Sequence, residues 1–165
     1  MTESTRHTML SAMLVAGLGT VAKVEAPAVA GDTHPTYTIG SDRVHIHPTS
    51  MIGGQDAHLH HEYHWLVHHQ KLRTTRIWLK DGTYATPIAC ALFGKELVSY
   101  PKEFIAVFGS PWQAIYASYR TGALLRQVRA RVDKVVRRRL AGVVDPDEAR
   151  VLELVQILCT MPKVE

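Results

Sequence analysis

Cysteine is scarce in this chain. The 165 residues hold two, Cys90 and Cys159, each isolated in an apolar run. They offer no disulfide framework and no CxxC knuckle, so a reducing, intracellular compartment is expected. No stretch is long and apolar enough to span a membrane, and no membrane partner is expected. There is no GxxxxGK[ST] loop to cradle a triphosphate, so this chain cannot hydrolyse ATP by itself. Internal repeats and low-complexity tracts are absent. The zinc-protease pattern HExxH also fails, because His61-Glu62 is followed by Trp65 where the second histidine is required.

What is present suits one domain with a small appendage. Apolar residues make up 46% of the chain, enough to drive folding. The formal charge is +4, and it is unevenly placed. Between Arg120 and Arg139, Arg126, Arg129, Arg131, Lys134, Arg137 and Arg138 add to the end cations, and Asp133 is the sole acid. Such an excess points towards a polyanion, for which RNA or an acidic protein surface would serve. The plainer reading is a solvated helix face. The apolar segment 9–22, followed by Ala28-Val29-Ala30, has a secretory signal as a rival reading, although Glu3 offsets Arg6 in its weak basic start.

Residues 8–18 read as the end of a helix with Met9, Leu10, Met13, Leu14 and Leu18 on one face. Strands are expected at 21–26, 36–39 and 42–48, the last two as a hairpin around Gly40-Ser41. Segments 27–35 and 51–58 read as loops. Two longer strands follow at 63–72 and 74–80, and Asp81-Gly82-Thr83 marks a turn. Pro87 and Gly94 bracket a short helix, and strands at 96–100 and 103–109 close the β region. Ser110-Pro111 is a start signal for a long helix reaching Leu140, with some strain at Gly122. Asp145-Pro146 repeats that signal for a last helix whose buried stripe is Val151, Leu154, Val155 and Leu158. Short strands flanked by helices suggest a mainly β fold, a five-stranded OB-type β-barrel; a generic α+β sandwich is the alternative.

Histidines concentrate in "HLHHEYHWLVHH", residues 58–69, with His45 and His47 upstream. On strands, His45 and His47 share one face with Arg43, and His64 shares one with His68. His45, His47 and His64 could hold zinc, but no spacing demands it. The alternative is a set of exposed or half-buried side chains that hydrogen-bond bases and phosphates. No catalytic residue, metal or cofactor is assigned. The segment 74–80 is more telling. Thr74, Arg76, Trp78 and Lys80 alternate with Thr75, Ile77 and Leu79, so a cationic, ring-bearing face backs onto a barrel core. Such a face can stack a base and neutralise phosphate together. Equally, Trp78 could pack beneath the C-terminal helix with its charges merely solvated.

Four segments in order carry a family resemblance: "RVHIHPTS" (43–50), "YHWLVHHQKLRTTRIWLKDGT" (63–83), "TPIACALFG" (86–94) and "FIAVFGSP" (104–111). Together with "VAGLGTVAKV" (15–24), they look like the C-terminal OB-fold of DEAH/RHA-type RNA helicases. The likeness covers roughly residues 10–140. His68 stands where the family has Tyr, and Gln70 where it has Glu. No Asp-Glu-Ala-His segment is present. The resemblance implies the end of a ratchet-like helix at 1–18, an OB barrel at 19–109 and a C-terminal helical extension at 110–165. It further implies a non-catalytic RNA-binding module. Its expected partners are single-stranded RNA, the helicase's RecA-like and ratchet domains in cis, and a protein cofactor. RNA contacts are expected from His47, His69, Lys71, Arg73, Thr74, Arg76, Trp78 and Lys80, with a secondary basic patch at Arg126, Arg129, Lys134, Arg137 and Arg138. A protein-interaction module, with RNA contact incidental, is the competing expectation.

Overall fold

A computed structural model describes residues 3–25, 35–54, 65–94, 97–99, 104–107, 114–116 and 118–160. The loop expected at 27–35 falls mostly outside them, as do Ser110-Pro111 and the histidines at 58, 60, 61 and 64.

Five strands close into a barrel: β1 (Val21–Glu25), β2 (Thr36–Ile39), β3 (Asp42–Ile46), β4 (Trp65–Arg73) and β5 (Ile77–Ala85). The order is β1-β2-β3-β5-β4, and β4 returns to β1. All pairs are antiparallel except β3 with β5. This is the OB arrangement, and closure removes the exposed sheet edges. The β2–β3 hairpin turns at Gly40, whose φ of 62° is open to glycine at little cost and matches the twist of a tight two-residue loop. Ala22, Val24, Tyr37, Val44, Leu66, Leu79 and Tyr84 fill the interior, with Ile52 from a 3-10 turn at Met51–Gly54 as the plug. Two tyrosine hydroxyls meet in this core, Tyr37 to Tyr84 at 2.8 Å, so each satisfies the other.

Three expectations change here. Thr74 to Arg76 form the bend of the β4–β5 hairpin, and the strand begins at Ile77. The expected turn at 81–83 is a kink inside β5, which runs on to Ala85. Asp81 takes a φ of 52°, a conformation that Asp tolerates better than most residues. Across it the alternation changes phase: Leu79 and Tyr84 both enter the core although an odd step separates them. Finally, β6 (Leu97–Ser99) and β7 (Phe104–Val107) do not extend the barrel. They join β8 (Ala114–Tyr116) in a separate three-stranded sheet. The long helix α3 (Tyr119–Leu140) therefore starts later than expected, capped by Ser118, whose Oγ accepts from the Thr121 amide at 3.2 Å.

Helices α1 (Glu3–Leu18), α2 (Pro87–Phe93) and α4 (Glu148–Thr160) pack outside the barrel with α3. In α1 the buried stripe is Thr8, Ser11, Ala12 and Val15, while Leu10, Met13 and Leu14 are exposed. Size explains this reversal of the expected face. Small residues let α1 approach Ala89, Cys90 and Ala91 of α2, which are themselves small and fully buried. The β4 strand serves both sides of the wall. Leu66 points into the barrel, and its neighbours Trp65 and Val67 pack outward with Val15, Val21, Ala85 and Cys90. A third cluster joins Leu92 of α2, Val132 and Val135 of α3, and Val151, Val155 and Cys159 of α4. Of the expected α4 stripe, Leu154 is exposed.

Candidate nucleic-acid interface

Strand order decides which side chains meet. Because β3 pairs with β5, His45 stands beside Trp78, and Trp78 on its other flank faces Leu72 of β4. The His47 amide donates to the Leu79 carbonyl at 2.9 Å, which extends the pairing one residue beyond β3. Two imidazoles therefore flank one indole. Ring centroids lie 5.7 Å apart for His45–Trp78 and 5.8 Å for His47–Trp78, the second pair edge-on. Aromatic pairs at such spacing contribute about 0.5–1.5 kcal/mol beyond area burial, which favours a fixed ring. The indole is pinned at its edge as well: Nε1 donates to Thr74 Oγ1 at 3.2 Å across the hairpin. His47 is steadied by Thr49, whose Oγ1 lies 2.8 Å from Nδ1.

Trp78 is half-buried, with its edges held by neighbours and part of its surface open to solvent. Arg43 and Arg76 are exposed beside His45, and Lys80 is half-buried further along the strand. Partial burial first, then the Arg76 and Arg43 cations, hold His45 below the ordinary histidine value. His45 is then neutral at neutral pH and serves as an aromatic neighbour rather than a charge. Lys71, also exposed, reaches Asp42 at 3.8 Å, an ion pair of small energetic weight.

The structure brings His47, Thr74, Arg76, Trp78 and Lys80 onto one surface, whereas Arg73 and Lys71, paired with the inward-facing Ile77 and Leu79, take the other face of the strands. Arg43, His45 and Leu72 belong to that surface and were not among the expected RNA-binding residues. The pattern 43/45/47 held the signal, but only the β3–β5 adjacency places it against Trp78. His69 is exposed and faces a different region, a cleft beside α1. Its neighbour His68 is 4% exposed. Burial, assisted by Lys71, pushes His68 down to about 4, and its Nδ1 has no hydrogen-bond partner among the described residues. His68 is therefore a neutral core residue. Among the described residues, no three His, Cys, Asp or Glu side chains gather as metal ligands; His64 lies outside them.

The basic helix is not an open cationic patch. Arg129 turns inward, its side chain 14% exposed, and donates to the carbonyls of Ala91 and Gly94 at the end of α2. Asp145 is buried and receives Arg138 at 2.9 Å and Lys134 at 3.8 Å. Arg131 meets Asp147 at 3.1 Å, and Arg139 meets Glu148 at 3.4 Å. The acids missing from α3 itself are supplied by the turn that follows it and the start of α4. The Asp147 amide and then Arg138 hold the Asp145 carboxyl below its usual value. Of the expected patch, Arg126 and Arg137 are exposed and enter none of these pairs.

Comparison with known proteins bears on the same region. A family model described as an oligonucleotide/oligosaccharide-binding (OB)-fold matches residues 10–97. The ATP-dependent RNA helicase DHX29 of Mus musculus is 32% identical over 79 residues, which is 47% of this chain and 6% of the mouse protein. The ATP-dependent RNA helicase DHX29 of Homo sapiens is 29% identical over 77 residues, 46% of this chain and 6% of the human protein. The chain thus corresponds to a small fraction of the curated relatives it matches.

Proposed function

Since the chain belongs to the OB-fold family found in DEAH/RHA-type RNA helicases, we propose that it is a non-catalytic module that holds single-stranded RNA on the outer face of β3, β5 and β4. One observation carries the reading. Trp78 is braced by His45, His47 and Thr74, and Arg43 and Arg76 stand beside His45 on the same face. A fixed indole gives a base a flat partner, and stacking of this kind contributes about 1–3 kcal/mol per base. The arginines neutralise the adjoining phosphates and release counterions. Nothing in the stacking of a base on Trp78 itself prefers a particular base.

In this proposal the partners are the helicase's RecA-like and ratchet domains in cis, with a protein cofactor as a further one, and the compartment is intracellular. An acidic protein docking on α3 is supported less well, because Lys134, Arg138 and Arg139 near its end already pair with Asp145 and Glu148, although Arg137 stays exposed.

Fluorescence-anisotropy titration of the full chain with a labelled single-stranded RNA tests the proposal. Trp78→Ala, and separately Arg43→Ala with Arg76→Ala, weaken binding several-fold. The arginine pair also flattens the dependence on salt, by a slope of roughly 0.7 for each phosphate no longer neutralised. Affinity unchanged in both variants would overturn the assignment.

A further inference from the structure

We propose that the cleft between α1 and the kink of β5 is a pocket for a guanine base of the same RNA strand that stacks on Trp78. This inference rests on the reading above and adds base preference to it. The cleft has a volume of about 440 Å³, ample for one nucleobase, and Leu14, Leu18 and Val67 contribute apolar wall. Its polar lining is Ser50, His69, Asp81 and Thr83. Ser50 is 7% exposed, and its Oγ has no hydrogen-bond partner among the described residues. A buried hydroxyl left unpaired beside a roomy cleft is a group matched to a ligand's polar atom.

The kink ties this cleft to the RNA face. Without the phase change at Asp81, strict alternation from Leu79 would turn Asp81 into the barrel. With it, Leu79 and Tyr84 are interior, Asp81 is exposed and Lys80 is half-exposed. The outer surface is therefore continuous from Trp78 to the cleft over three strand residues, about 10 Å, within reach of a neighbouring nucleotide.

Chemistry selects the base. A carboxylate only accepts, and it accepts two parallel bonds best. Guanine alone presents adjacent donors, N1–H and the 2-amino group, with O6 beside them to accept from a hydroxyl. Adenine and cytosine set an acceptor next to their amino group, which the Asp81 carboxylate repels. Uracil has a single donor between two carbonyls. An apolar protein side chain would fill the walls but leave Ser50 Oγ unpaired.

The test compares a short oligouridylate carrying one central guanosine with its adenosine counterpart, both titrated onto the full chain. The guanosine oligomer binds about tenfold more tightly, as one bidentate interaction supplies. Asp81→Asn keeps a residue that tolerates the positive φ and brings the ratio of affinities to about one. Ser50→Ala lowers the ratio partway and does not disturb the kink. The ratio matters more than either affinity, because loss of a carboxylate strengthens RNA binding generally. Trp78→Ala weakens both oligomers in parallel and preserves the ratio. A wild-type ratio near one, with binding still dependent on Trp78, overturns the pocket and leaves the RNA face standing. Binding indifferent to Trp78, or no binding of either oligomer, removes the RNA reading and the pocket with it.

Discussion

At the scale of single residues, His68 has a thermodynamic consequence. Its folded pKa of about 4 lies below the ordinary value of 6.5. Above pH 6.5 the ring is neutral in both states, and stability is complete. Between 6.5 and 4 the unfolded chain binds a proton that the folded chain refuses, so stability falls as pH falls. The full loss is roughly 3 kcal/mol. Urea-unfolding midpoints should decline across that window, and His68→Leu should remove most of the slope. His45, also lowered, leaves a smaller remainder. Asp145 acts in a separate range, since its depressed pKa matters only below the normal carboxylate value. From sequence, His68 and His69 are one dipeptide in a histidine-rich run. The barrel wall separates them into a neutral core group and an exposed ring.

At the scale of elements, cations are sorted by what the neighbouring helix offers. Arg129 serves the open end of α2, where the carbonyls of the last turn lack helical partners. Arg129→Ala leaves those carbonyls without their charged donor and should cost about 1.5–3 kcal/mol, read from urea unfolding. Arg126→Ala, at an exposed position of the same helix, should change stability by less than about 0.5 kcal/mol. Composition could not make this distinction, because it depends on the packing of α3 against α2. Periodicity did reveal the inner face of β5, since Ile77 and Leu79 enter the core as their alternation requires. It missed the kink, because Asp-Gly reads as a turn wherever it occurs, and here it bends a strand without ending it. It also grouped large apolar residues on one face of α1, of which Leu10, Met13 and Leu14 are exposed, whereas close approach to α2 selects small ones.

At the scale of the molecule, barrel and helices share β4. Leu66 belongs to one core, Trp65 and Val67 to the other, and adjacent residues cannot come apart separately. Leu66→Ala, at a position with no exposure, should cost about 2–5 kcal/mol. Near-ultraviolet dichroism of the tryptophans and far-ultraviolet dichroism of the helices should shift together, as one cooperative transition. Separate midpoints would show that the two layers melt independently. The five-stranded barrel was legible in the sequence from its short strands and the resemblance, and the flanking helices from their start and stop signals; the strand order was not. The β6–β8 sheet was not, because short strands do not announce which neighbour they join.

Cys90 lies in the seam between these layers with no exposure, and burial raises its thiol well above the usual value. In the native state the sulfur is therefore both shielded and protonated, and so inert to alkylation. A disulfide-exchange reagent would modify it only during excursions that part α2 from β4. The velocity of that modification, followed by mass, would clock how often the seam opens, with no label introduced.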